Sequence, residues 1–95
     1  MSNIGSGIQF EQLQEQADRN LVVFLRIELD LGFTFARTAH LEADMQESED
    51  FKRAHEIVPI ALETVHRFEA RIVDFQIRRG LQERAAELEV VLSSL

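Results

Sequence analysis

A chain of 95 residues with one proline and four glycines, three of these at positions 5, 7 and 80, has few places to turn sharply. Glycine and proline are the strongest local breakers of regular structure, so their scarcity favours long helices. Apolar residues spaced three and four apart run from about residue 9 to residue 93. No segment alternates apolar and polar residues for long enough to make a strand. The fold class expected is all-α.

The spacing predicts a short amphipathic stretch over 9–17, with Phe10, Leu13 and Ala17 on one side. Asp18 or Asn20 is placed to cap a new helix, yet Phe10, Leu13, Ala17, Leu21 and Phe24 also continue a single stripe. The first long helix is expected to reach about Glu47. "MQESEDFKRA" then supplies a turn, with Ser48 or Asp50 as caps and acidic residues suited to the positive end of the next helix.

In the second helix Phe51, Ala54, Val58, Ala61, Val65, Phe68, Ile72 and Phe75 recur three and four apart without a miss, the spacing of one helix packed lengthwise on another. This helix is expected to run to Arg79, to bend at Pro59, and to be closed by Gly80 behind Arg78 and Arg79. "LQERAAELEVVLSSL" forms a final helix. The predicted architecture is a long antiparallel helical hairpin with short flanking helices: a flexible N-terminus over 1–8 and one helical domain over 9–95.

Within "ELDLGFTFARTA" the first long helix is apolar on nearly every side. Val22, Leu25, Leu29, Gly32, Ala36, Ala39 and Ala43 form one seam. Its small residues admit a close neighbour, which accounts for a glycine costing about 1 kcal/mol of helix propensity; the neighbour expected is the second helix near the turn. Phe24, Ile27, Leu31 and Phe35 form a further stripe beside that seam. So small a chain buries only about 60% of its surface alone, and a second copy is the economical cover for the excess. The expected partner is therefore the chain itself, in a homodimeric helical bundle with this stripe at its interface. The alternative cover is the final helix folding back.

Glu28 falls inside the apolar arc, where a carboxylate needs a partner or a proton. Antiparallel pairing about a turn near residue 48 sets it level with 66–69, so Arg67 is the expected partner. A competing reading is chemical. Glu63 and His66 spell E-x-x-H, the helical ligand pair of di-iron bundles, and Glu28 would add a carboxylate from a neighbouring helix. Glu63, however, projects almost opposite the apolar seam, and the structural reading is preferred, with no metal and no cofactor. His40, His55 and His66 read as boundary residues. There is no glycine-rich phosphate loop, and serines stand only at predicted ends and turns, so no serine nucleophile has a supporting histidine. The chain is expected not to be an enzyme.

Charge narrows the partners. The formal net charge of −7 repels phosphate backbones and anionic lipid. Arg53, Arg67, Arg71 and Arg78 share one side of the second helix, but Glu49, Glu63 and Asp74 precede three of them by four residues, as expected of a solvated, paired face. Neither nucleic acid nor membrane is an expected partner, whereas another protein is. The longest purely apolar run, Leu21 to Leu25, is far too short to span a bilayer. A start without a basic and then apolar region, and a sequence without cysteine, fit a cytoplasmic location.

Residues 41–62, "LEADMQESEDFKRAHEIVPIAL", resemble a tetratricopeptide-type helical hairpin. Leu41 and Met45 match the large apolar positions of its first helix, Asp50 and Phe51 its acidic and aromatic turn, and Ala54, Val58 and Ala61 the small, large, small series of its second. The resemblance covers about a quarter of the chain and occurs once. It implies a pair of packed helices and a role in protein interaction. "ELDLGFTFARTA" is also similar to a stretch of short bacterial helical proteins with no assigned activity. The function expected is that of a non-enzymatic interaction or self-assembly module, with a metal-binding bundle built on Glu28, Glu63 and His66 as the alternative.

Overall fold

A computed structural model describes the backbone of residues 2–41 and 49–95 and the side chains of 9–41 and 49–95. Among these residues are three helices, α1 (Ser2–Leu41), α2 (Glu49–Phe68) and α3 (Phe75–Ser93), with a 3₁₀ turn (Glu69–Arg71) between the last two. No strand occurs among the described residues. The radius of gyration is 17.7 Å, against about 12 Å for a compact chain of this length. The excess comes from α1, which at about 1.5 Å per residue is roughly 60 Å long and outruns the other two helices.

The sequence seam is the core. Val22, Leu25, Leu29, Ala36 and Ala39 of α1 are buried with Ala54, Val58, Ala61, Leu62 and Val65 of α2 and Leu81, Ala85 and Leu88 of α3. No polar or charged residue is buried among those described. Leu25, Leu29 and Leu88 are fully covered, and each contributes about 1.5–3 kcal/mol relative to exposure. Glu69 Oε1 accepts from Gln82 Nε2 at 3.1 Å, and His66 Nε2 lies 2.9 Å from Glu89 Oε1, so α2 and α3 run in opposite directions. Gly32 faces Ala61 of α2 and Leu88 of α3, which sets α1 against both. Arg84 spans the α1–α3 seam: its guanidinium donates to Asp30 Oδ1 at 2.7 Å and lies 5.3 Å from the Phe33 ring centroid.

Several expectations are corrected. α1 passes through Asp18 and Asn20 without a break, because the Phe10 to Phe24 stripe and the helix formers around it leave nothing to stop it. Its expected end near Glu47, the last seam residue Ala43 and the cap Ser48 lie outside the described residues. Asp50 is in the first turn of α2, beside Glu49, and not before it. One expectation in this region holds: α2 continues through Pro59, whose missing N–H falls on an exposed side of the helix.

The second helix stops at Phe68, not at Arg79. After the 3₁₀ turn, Ile72 (φ −82°, ψ 117°) and Asp74 (φ −69°, ψ 113°) are extended. Asp74 Oδ1 then accepts from the backbone N–H groups of Gln76 and Ile77 at 2.9 and 3.1 Å, which caps α3. The seam holds through Ile72, which is buried, and ends there, since Phe75 is 62% exposed. Gly80 consequently lies inside α3 and terminates nothing.

Gly32 has two close neighbours. Ala61 of α2 stands 3.8 Å from where a Cβ would lie, but the nearer is Leu88 of α3, because the final helix folds back along α1. That return covers one flank of the α1 seam and leaves the other open.

Candidate interaction surface

Along α1 the charges are segregated. Between residues 9 and 38 the helix carries Glu11, Glu15, Asp18, Arg19, Arg26, Glu28, Asp30 and Arg37. Wound at about 100° per residue, all of them except Glu28 fall on one half of the circumference. The other half presents Phe10, Leu13, Ala17, Phe24, Ile27, Leu31 and Phe35 among Gln, Asn and Thr. Depletion of charge together with enrichment in aromatic side chains distinguishes the core of an interface from ordinary surface.

This face is open. Phe24, Ile27 and Leu31 are 41%, 51% and 47% exposed, while Phe35 is half-buried against the core. Phe24 is the first of the expected interface residues, but the exposed apolar surface extends further toward the N-terminus. Phe10 and Leu13 are more exposed still, on the part of α1 that outruns its neighbours. The signal was the continuous Phe10 to Phe24 stripe, readable once α1 is known not to break. From Phe10 to Phe35 the face is about 37 Å long.

The direction of the overhang matters. On the overhang, Glu11, Glu15 and Asp18 occupy the side that becomes the core seam further along, and together with Gln14 they line a shallow hollow. The apolar side of the overhang instead follows Phe24 and Leu31. It is therefore continuous with the surface they form and not with the sides packed on α2 and α3.

Glu28 is half-buried at the edge of this face. The ion pairs among the described residues are His66–Glu89, Arg79–Glu83 and Arg84–Asp30, so Arg67 does not pair with Glu28. Arg67 and Arg71 instead stand over the Phe68 ring, 5.9 and 5.0 Å from its centroid. The expected helical pairs of Arg53, Arg67 and Arg78 with the acid four residues earlier do not form either: Arg78 stands over Phe75, and Asp74 is occupied as a cap.

The residues of the metal reading are not brought together. Glu63 is exposed, and His66 is engaged by Glu89 on α3. No group of three or more His, Asp or Glu side chains among the described residues is placed to hold a metal ion. His55 Nδ1 lies 3.0 Å from the Phe51 carbonyl oxygen of its own helix. No helix among the described residues is long and apolar enough to cross a membrane.

No family model, curated protein or solved structure matches the chain.

Proposed function

We propose that the chain is a non-enzymatic helical module that works by association, and that the open face of α1 is its working surface. The single observation behind this reading is the continuous, charge-depleted stripe from Phe10 to Phe35, with Phe24, Ile27 and Leu31 uncovered after α2 and α3 have packed. Large exposed apolar side chains standing singly are ordinary; a helical row of them about 37 Å long is not.

The first partner is a second copy, giving a homodimeric bundle around the two α1 helices. The tetratricopeptide-like pairing over 41–62 serves in this reading as one element of the protomer and not as a peptide-binding array, which requires stacked repeats. Light scattering behind a sizing column, over a wide concentration range, tests the proposal. A dimeric mass is expected, and a monomeric one at every concentration would overturn self-association.

A further inference from the structure

The α1 stripe has an internal order that specifies how two copies meet. Phe10, Ala17, Phe24 and Leu31 recur every seven residues, and Leu13, Asn20, Ile27 and Thr34 form a second row offset by three. Two such rows make a seam for another helix with the same repeat.

Resting on the self-association reading, we infer that the two copies of α1 pair antiparallel, with the two-fold axis beside Val22. Side-chain size points to this. In the antiparallel register Ala17 faces Ile27 of the second copy, Asn20 faces Phe24 and Thr34 faces Phe10, so a smaller side chain stands opposite a larger one in three layers, while Leu13 faces Leu31 in the fourth. A parallel pair stacks Ala17 on Ala17 and Phe24 on Phe24, alternating voids with crowding in a seam that wants even packing.

The edges of the seam agree. Around the axis the apolar surface is widest, since Leu21 and Val23 flank the stripe, and Val23 is 53% exposed. Antiparallel pairing sets each of these beside its own copy and brings Glu28 opposite Gln14, an uncharged donor. Parallel pairing would set Glu28 beside Val23, where a carboxylate loses water and gains no hydrogen bond. Length agrees as well. The stripe from Phe10 to Thr34 is centred on residue 22, so the overhang of one protomer lies along the three-helix body of the other, and both overhangs are covered.

The chain has no cysteine, so single nitroxide labels can be placed at Gln12→Cys and, separately, at Val23→Cys. Both residues are exposed in the protomer. In an antiparallel dimer the two residues at position 12 are about 30 Å apart along the helix axis and those at 23 about 3 Å. Pulsed electron resonance should then give a distance of 30 Å or more for the first label and below about 20 Å for the second. Two nearly equal short distances in a sample whose scattering mass is that of a dimer would overturn the antiparallel arrangement and leave self-association standing. A monomeric mass would overturn both.

Discussion

Gly32 and Leu88 approach so closely that a Cβ built on the glycine would stand 2.6 Å from the leucine Cδ2, with the Ala61 Cβ at 3.8 Å. All three helices meet at this point. The contact on the near side is the tip of one flexible side chain, which decides how the position responds to substitution. Gly32→Ala gains about 1 kcal/mol of helix propensity and obliges Leu88 to shift a terminal methyl, so stability should stay within about 1 kcal/mol of the parent. Gly32→Leu has no such escape and should cost roughly 2 kcal/mol or more. Denaturant titration of both proteins provides the check. A large loss from alanine would mean that Leu88 cannot yield.

Gly80 responds in the opposite sense. Nothing lies within 4 Å of the position a Cβ would occupy, and the residue sits inside α3. Gly80→Ala should stabilise by about 0.5–1 kcal/mol, raising Tm by several degrees in a domain of this size. A lower Tm would contradict the placement of Gly80 within a helix.

Asp74→Ala removes the acceptor for two backbone N–H groups at the start of α3 and should cost about 1 kcal/mol, whereas Asp74→Asn should recover most of it. Paired thermal melts distinguish this cap from a general charge effect, which would treat the two substitutions alike.

Leu31→Asp places a charge on the open α1 face without entering the core. It should shift the proposed dimer toward monomer while the helical circular dichroism is retained. Val90→Asp, at an exposed apolar position on α3 away from this face, serves as the control and should leave the mass unchanged. Equal effects from both would show that the α1 face has no special role.

Glu28 is the one charge on that face. Glu28→Leu removes the need to hydrate a carboxylate at its edge, so the dimer should dissociate at lower concentration than the parent, by severalfold. A weaker dimer would mean that the hydrogen bond offered by Gln14 of the second copy outweighs the cost of desolvating the carboxylate.

The α1 seam was legible because Val22, Leu25, Leu29 and Ala36 repeat with the helix and are buried as that repeat requires. The same rule concealed the break at 72–74, since Phe68, Ile72 and Phe75 keep the three–four spacing while the backbone turns between them. Periodicity records which side of a helix is apolar, not whether the axis continues. The sign that does mark the break is Asp74 ahead of "FQIRRGL", a cap signature with no glycine or proline beside it. Gly80 misled for a related reason: a glycine after two arginines carries the signature of a helix end, yet the interior of α3 has room for it.

The candidate face was legible in the same partial way. Its Phe24, Ile27 and Leu31 rows follow from the sequence, but their exposure depends on which flank α3 covers. The return of α3 also takes His66 away from any shared site with Glu63 and Glu28, through a contact with Glu89 twenty-three residues further along.

The described chain extends 67 Å along one axis and 22 and 17 Å along the others. A rod drags more water than a sphere of equal mass, so a protomer of 10.9 kDa would leave a calibrated gel-filtration column early, at the volume of a heavier globule. Elution volume alone would therefore imitate dimerisation even in a monomer. A shape-independent measure of mass is required, and an antiparallel pair, in which each overhang lies on the other body, should be stouter than its own half.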